Sequence, residues 1–145
     1  MRFREFVKAN IGKCLDYDKA YAGQCVDLFR FYCKDVLGLP AQPRPVDGAA
    51  AFFENYGSDA ALRDNFTLIK NAPEAVPRYG DVIVWDRKRG KGYGHVSVFI
   101  HGDVNGFTSF DQNWPALSKC TETEHDYVNV IGWLRPKNQK GVTGV

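Results

Sequence analysis

The stretch GQCVDLFRFYCKDVLGLP, residues 23–40, predicts an amphipathic helix that begins at a cysteine. Its apolar residues recur every three or four positions and so share one helix face: Val26, Leu28, Phe29, Tyr32, Cys33, Val36 and Leu37. Gly38 followed by Pro40 indicates where the helix ends. Cys25 then falls in the first turn, where unpaired N–H groups and the helix dipole favour a thiolate. From position alone, Cys25 is a nucleophile, a metal ligand or, most commonly for this residue type, a buried structural cysteine.

Further helices are predicted before residue 65, and strands after it. A short amphipathic helix precedes Gly12, and another lies in DGAAAFFENYG, residues 47–57, with Asp47 as its N-cap. Five later runs are rich in β-branched and aromatic residues: FTLI (66–69), DVIVWD (81–86), HVSVFIH (95–101), GFTSFDQ (106–112) and YVNVIGWL (127–134). The loop GDVNG, residues 102–106, predicts a hairpin. This order predicts an α+β fold with N-terminal helices packed on a C-terminal antiparallel β-sheet.

Composition narrows the classes of function. A chain of 145 residues with 44% hydrophobic residues is expected to form one domain, residues 1–145, with no separate binding domain visible. A net charge of +2 argues against nucleic acid as partner, and no apolar run approaches a membrane span. The start, MRFREFVKAN, carries charges where a signal peptide is apolar, so synthesis in a cytoplasm without a signal peptide is expected. The four cysteines include no CxxC, which disfavours a zinc site or a disulfide framework.

Three histidines are candidate bases for a cysteine nucleophile. His95 follows the flexible GKGYG and opens a strand, which suits a general base, although a hydrogen-bonded strand-end histidine is an equal alternative. His101 and His125 are expected to be solvated or locally hydrogen-bonded. The hairpin brings Asp111, at the end of the next strand, close to His95, where a carboxylate would orient the ring. Asn113 would point to the same side while the strand persists, and its amide could donate to an oxyanion.

Three sequence blocks, GQCVDLF, YGHVSVF and SFDQNW, in this order and spacing resemble the signature blocks of the CHAP domain, the cysteine, histidine-dependent amidohydrolases/peptidases. The segment YGDVIVWD is similar to a further strand of that family. The resemblance implies a papain-like (NlpC/P60-type) α+β fold. It also implies Cys25 as nucleophile, His95 as general base, Asp111 as the residue that orients it, and Asn113 or Gln24 as an oxyanion donor beside the Cys25 N–H.

The same resemblance implies a function. Family members cleave amide bonds of bacterial peptidoglycan, in the stem or cross-bridge peptide or at N-acetylmuramoyl-L-alanine, and many are catalytic modules of phage endolysins. We therefore expect a monomeric peptidoglycan hydrolase that uses no organic cofactor and acts on the cell wall, helped by a fused or separate wall-binding module. The alternative is a noncatalytic wall-binding or structural domain with a degenerate site.

The acids around the cysteine suggest a calcium site. In DYDKAYAGQCVD, residues 16–27, Asp16, Asp18 and Asp27 occupy positions 1, 3 and 12, and Ala20 and Ala22 offer carbonyls at positions 5 and 7. These are offsets from which an EF-hand loop supplies oxygen ligands to Ca²⁺. Some phage CHAP domains resemble this segment and bind calcium there. The alternative is that Asp16 and Asp18 belong to a turn and Asp27 interacts with the helix dipole.

Overall fold

Helix α2, Cys25–Asp35, packs against strand β3, His95–Gly102, in the computed structural model, which describes residues 1–18 and 24–143. The predicted apolar face of α2 is buried, with Leu28, Phe29 and Tyr32 each at most 1% exposed. The helix begins at Cys25, so the sequence prediction of its start is confirmed.

Three more α-helices lie in the described part of the N-terminal half. Helix α1, Phe3–Asn10, buries two phenylalanines as its periodicity predicts. Helix α3, Ala51–Glu54, is shorter than predicted, and its N-cap is Ala50. The assignment of Asp47 as N-cap was wrong, because the chain turns again before the helix and Asp47 pairs with Arg87. Helix α4, Ala60–Asn65, was not predicted.

An antiparallel sheet forms the C-terminal half, as the sequence predicts, but it has six strands where five runs were predicted. Its spatial order is β1-β6-β2-β3-β4-β5. The remaining strands are β1 Phe66–Lys70, β2 Val82–Trp85, β4 Phe107–Asp111, β5 Thr121–His125 and β6 Val130–Pro136. Gly102 lies opposite Phe107, so the GDVNG loop forms the predicted hairpin between β3 and β4.

The two faces of the sheet have different partners. The first contributes to the core shared with the helices and carries Val82, Val84, Val96, Val98 and Phe110. The second carries a smaller aromatic cluster: Ile83, Trp85, Phe99, Phe107 and Trp133. His95 and Phe99 are four positions apart in β3, and Phe107 and Asp111 are four positions apart in β4. Side chains an even number of positions apart in a strand share a face, so His95 and Asp111 both belong to the second face. Within the described ranges, no helix has the length and apolar character needed to cross a bilayer.

Candidate active site

Cys25 occupies the first turn of α2 and is half-buried. The start of this helix is fixed by Asp27, whose Oδ2 accepts from the Gln24 N–H at 3.0 Å while the Asp27 N–H donates to the Gln24 carbonyl at 3.1 Å. The backbone N–H of Cys25 belongs to the part of a helix that has no intrahelical acceptor. A thiol and an available N–H donor therefore lie together at a helix N-terminus.

His95 is held between two tryptophans at the start of β3. Its ring centroid lies 5.0 Å from that of Trp85 and 4.7 Å from that of Trp114, and the residue is 3% exposed. Gly94 precedes it with φ +78°, and a Cβ there would lie 2.7 Å from the Trp85 carbonyl. A glycine is therefore needed for the chain to enter β3 this close to β2.

Asp111 accepts a hydrogen bond from His95 across the β3–β4 pair. His95 Nε2 lies 2.7 Å from Asp111 Oδ2, and the Asp111 side chain is fully buried. The other carboxylate oxygen, Oδ1, accepts from the Ser109 hydroxyl at 2.5 Å, and Ser109 accepts from Ser97 at 2.9 Å. The short aspartate side chain thus reaches the histidine, as the hairpin register predicts.

The electrostatics of the pair favour a charged imidazolium. Burial lowers the pKa of His95, but hydrogen bonds to Asp111 and Cys25, with the charges of both groups, outweigh it and raise that pKa to about 9. Burial opposes ionisation of Asp111 as well, yet hydrogen bonds from His125 and His95 hold the pKa of its carboxyl below the usual value. At neutral pH the site therefore contains an aspartate paired with a protonated histidine.

The direction of the His95 ring follows from its bond to Asp111. Because Nε2 is committed to the carboxylate, Nδ1 is the ring nitrogen left to face the Cys25 thiol, which contributes to the raised pKa of His95. The structure thus brings together the three side chains that the sequence proposed as nucleophile, base and orienting acid. A thiol, an imidazole and a carboxylate in this order are the groups that a cysteine hydrolase requires.

The predicted oxyanion donors lie in different settings. Strand β4 ends at Asp111 and Asn113 has φ 66°, so the strand alternation used to predict its direction does not reach it. Its side-chain oxygen accepts from the Leu117 N–H at 2.5 Å in the loop that follows. Gln24 is exposed beside Cys25. Donation from either amide to an oxyanion stays a prediction.

Sequence reasoning missed Gln112, which is fully buried and holds the segment that enters α2. Its side-chain N–H₂ donates to the carbonyls of Leu15 at 2.9 Å and Gln24 at 2.8 Å. Its oxygen accepts from the Leu15 N–H at 2.6 Å and from the Cys120 thiol at 3.2 Å. Because a glutamine after a strand aspartate is ordinary loop chemistry, no sequence signal identified it.

His125 was also misjudged. The expectation that it is solvated or bonded locally was wrong, since its side chain is 3% exposed and its Nε2 lies 3.0 Å from Asp111 Oδ2 on the neighbouring strand. It lies at the end of β5, a strand whose polar sequence TETEH gave no sign of a buried face. His101, by contrast, is exposed as expected.

The acidic residues before and within α2 form one cluster. One carboxylate oxygen each from Asp16, Asp18 and Asp27 lies within 4.8 Å of the others. Burial raises the pKa of Asp27, and the negative charges of Asp18 and Asp16 raise it further. Hydrogen bonds from the Gln24 and Tyr17 N–H groups act in the opposite direction and only partly offset this rise. Three carboxylates this close fit the all-oxygen coordination of a hard cation. The proposed carbonyl ligands Ala20 and Ala22 lie outside the described residues.

The other three cysteines lack this setting. All four thiols are free. Burial raises the pKa of Cys33 well above its usual value. Burial also raises the pKa of Cys120, to about 12, although backbone hydrogen bonds act against it. Both side chains are therefore neutral thiols at neutral pH. Cys14 is exposed. Cys25, by contrast, interacts with His95 closely enough to raise the pKa of that histidine.

Comparison with known proteins agrees with this fold. A model of the CHAP domain matches residues 16–113, which contain the proposed nucleophile, base and carboxylate. The chain belongs to the CHAP domain family.

Relatives of known name come from phage and bacteria. Endolysin PlyTW of Staphylococcus phage Twort is 28% identical over 144 residues, covering 90% of this chain and 28% of that protein. Probable autolysin PH of Staphylococcus aureus is 33% identical over 110 residues, covering 72% of this chain and 21% of that protein. The crystal structure of the endolysin LysIME-EF1 superposes with a TM-score of 0.69 at 27% identity, covering 97% of this chain and 66% of that chain. The chain thus spans 21–28% of the length of these two curated relatives.

Proposed function

We propose that this domain is a cysteine peptidase or amidohydrolase that cleaves an amide bond of bacterial peptidoglycan. The observation that carries the proposal is the commitment of His95 Nε2 to Asp111, which leaves Nδ1 for the Cys25 thiol at a helix N-terminus. Similarity to an endolysin and a probable autolysin supports the cell wall as substrate. The phage relative further supports a lysin that reaches the wall after synthesis in a host cytoplasm.

The first half of the reaction is acyl transfer to the thiol. Cys25 Sγ attacks the amide carbonyl carbon, and the electron pair of the C=O bond moves to oxygen. The Cys25 N–H would stabilise this oxyanion together with Gln24 or Asn113. The oxyanion then re-forms the carbonyl while the C–N bond breaks, and His95 gives its Nδ1 proton to the leaving amine. A thioester and a free amine result.

Water completes the reaction. Neutral His95 takes a proton from water as the oxygen attacks the thioester carbonyl, and the C–S bond breaks to release a carboxylic acid and the Cys25 thiolate beside the His95 imidazolium. The acid loses its remaining proton to solvent. Asp111 keeps its charge throughout and stabilises the imidazolium each time it forms. No organic cofactor is needed at any step.

Fragment analysis tests this activity. Purified peptidoglycans that differ in cross-bridge are digested, and mass spectrometry identifies each new amino terminus. A new terminus on L-alanine would assign amidase activity, and one within the stem or cross-bridge would assign endopeptidase activity. Cys25→Ala should release nothing, whereas Cys14→Ala should act like the unmodified chain. A wild-type chain that binds the wall but yields no new terminus would instead favour a noncatalytic wall-binding domain.

We also propose that the acidic cluster holds one structural Ca²⁺. Asp16, Asp18 and Asp27 would supply carboxylate oxygens, with Ala20 and Ala22 as further carbonyl ligands. A bound cation would neutralise carboxylates that repel one another and would fix the segment entering the Cys25 helix. A hard cation with filled coordination neither binds a thiolate well nor generates hydroxide. Its role would therefore be stability of the site rather than chemistry.

The proposed domain acts as a monomer, and residues 1–145 form a single catalytic unit. Because the curated relatives are about four times longer than the matched region, we infer that a wall-binding module, fused or separate, assists it.

A further inference from the structure

A second histidine shares the carboxylate oxygen that His95 uses. His125 Nε2 and His95 Nε2 lie 3.0 Å and 2.7 Å from the same atom, Asp111 Oδ2. A carboxylate oxygen can accept from two N–H groups, and Ser109 already donates to Oδ1. His125 therefore completes a set of three donors around a buried negative charge.

The His125 ring is enclosed by the same aromatic side chains as the His95 ring. Its centroid lies 4.8 Å from those of both Trp85 and Trp114 and 5.3 Å from that of Phe107. The two imidazoles themselves have centroids 6.4 Å apart. Packing on several sides restricts the rotamers of both rings, so each can keep its nitrogen directed at Asp111.

The acceptor needs such support because of its place in the fold. Asp111 is the last residue of β4, and the chain turns away from the strand directly after it. Without His125, Ser109 would be the one donor besides His95 among the hydrogen bonds described for this carboxylate. A second N–H on Oδ2 restrains rotation of the carboxylate about the Cβ–Cγ bond of Asp111.

We propose that His125 is a positioning residue for hydrolysis, whose Nε2–H holds Asp111 Oδ2 where His95 Nε2 meets it and so keeps His95 Nδ1 directed at Cys25. The inference rests on the proposed function of the site. His125 touches no reacting atom in this scheme and acts through Asp111.

Two substitutions separate hydrogen bonding from packing. His125→Phe keeps an aromatic ring against Trp85 and Trp114 but removes the N–H, and His125→Gln supplies an N–H donor without the ring. A hydrogen bond to a charged group shifts a conformational equilibrium about tenfold or more. Its loss should lower the fraction of chains with His95 correctly oriented, so His125→Phe should slow release of fragments from purified peptidoglycan by about that factor at pH 7. His125→Gln should recover most of the rate. If His125 acted only by packing, His125→Phe should hydrolyse faster than His125→Gln.

The matched control is His101→Phe, at the exposed end of β3. Its rate should stay within about twofold of wild type, as for most surface changes. Thermal melting of each variant separates lost activity from lost fold. Wild-type rate in a folded His125→Phe variant would overturn the inference while leaving the proposed function intact. Failure of the unmodified chain to cleave any bond would refute the proposed function itself.

A measurement on the native side chains does not depend on how the variants fold. In the ¹⁵N-histidine-labelled full chain carrying Cys25→Ala, NMR at pH 7 reports which ring nitrogens bear protons. The proposal requires a hydrogen-bonded proton on Nε2 of both His95 and His125. A bare Nε2 on His125 would exclude donation to Asp111 and overturn the inference even if hydrolysis were established.

Discussion

The protonation of His95 depends on two neighbouring side chains, Asp111 and Cys25. Burial alone would favour a neutral ring, and the carboxylate at 2.7 Å, with the Cys25 thiol, reverses this and raises the pKa of His95 to about 9. In the proposed reaction the imidazolium is the proton donor for the leaving amine. Acid catalysis in the first half-reaction is therefore available up to that pH.

The rate of hydrolysis should accordingly fall as the pH rises through about 9. Asp111→Asn removes the negative charge but keeps the size of the side chain, so the pKa of His95 should drop and the alkaline fall should begin at lower pH. Initial rates of peptidoglycan lysis between pH 5 and 11 would measure both profiles. An alkaline limb at the same pH in Asp111→Asn would show that another group sets the pKa of His95.

Thiol reactivity is a second property of single residues. Cys25 should be alkylated by iodoacetamide at neutral pH faster than the other three cysteines, because it combines a helix N-terminus with a histidine partner. Burial keeps Cys33 and Cys120 protonated, and exposed Cys14 is the internal comparison for simple access. Peptide mapping after brief labelling would rank the four. Faster labelling of Cys14 than of Cys25 would contradict the assignment of the nucleophile.

At the scale of elements, the chain joins the start of α2 to the end of β4 through one side chain. Gln112, next to Asp111, bonds to Leu15 and Gln24, which lie on the two sides of the segment carrying the proposed calcium carbonyls. The carboxylate that orients His95 and the glutamine that fixes the entry to α2 thus come from consecutive residues. Movement of this loop would change the nucleophile and the orienting acid together.

Gln112→Ala should therefore lower both stability and activity. Loss of the amide leaves the Leu15 N–H and carbonyl without their Gln112 partner, at a cost of about 1–3 kcal/mol for each that water does not reach, whereas the Gln24 carbonyl keeps its bond from the Asp27 N–H. Gln42 is the matched control. Its side-chain amide also uses both its nitrogen and its oxygen, donating to the Arg30 carbonyl and accepting from the Arg30 side chain, but it has no bond to a site residue among these contacts. Urea unfolding and lysis rates should show a loss of specific activity for Gln112→Ala that Gln42→Ala lacks. Equal specific activity in both variants would reduce Gln112 to a structural role.

The elements that the sequence predicted well are those with strong internal patterns. The apolar periodicity before Gly38 identifies α2, and the GDVNG loop fixes the β3–β4 pairing from which the closeness of His95 and Asp111 was inferred. Strand β5 escaped prediction because it is an edge strand whose sequence TETEH is polar and largely exposed. β5 is a strand because its backbone pairs with β4, although its own side chains show no alternation of apolar and polar residues.

Residues whose surroundings come from distant segments were harder to predict. His125 is buried because Trp85 and Trp114, 40 and 11 positions away in sequence, meet over its ring. The direction of the Asn113 side chain was predicted from the alternation of side chains along β4. That strand ends at Asp111, two residues before Asn113, so the alternation does not apply to it. Long-range packing and strand ends are features that a local sequence pattern does not encode.

At the scale of the whole molecule, the buried pair links stability to pH. The folded pKa of His95, about 9, exceeds the value near 6.5 of an unfolded histidine, so the contribution of its charged form is complete below about 6.5 and is lost as the pH rises through 9. Asp111 contributes in the opposite range, above the usual pKa of its carboxyl. Between pH 7 and 10 the melting temperature should therefore fall, and Asp111→Asn should flatten this fall. A wild-type melting temperature independent of pH over that range would contradict a raised pKa for His95.

Calcium binding would also affect folding stability, because the acidic cluster would stabilise the fold with Ca²⁺ bound and destabilise it without the ion. If Ca²⁺ binds only the folded chain, a concentration 100 times its dissociation constant should stabilise by about 2.7 kcal/mol, so EDTA should lower the melting temperature of the wild type. Without the ion the same acids repel one another, as the effect of Asp18 on the pKa of Asp27 indicates.

Asp18→Asn should therefore melt below the wild type in calcium and level with it or above it in EDTA. Asp64→Asn, a change of an exposed acid outside the cluster, should follow the wild type in both conditions. Calorimetric scans of the three chains with calcium and with EDTA measure this crossing of stabilities, because only a bound cation converts carboxylate repulsion into net stabilisation. A wild-type melting curve that EDTA leaves unchanged would assign Asp16 and Asp18 to a turn and Asp27 to the helix start alone.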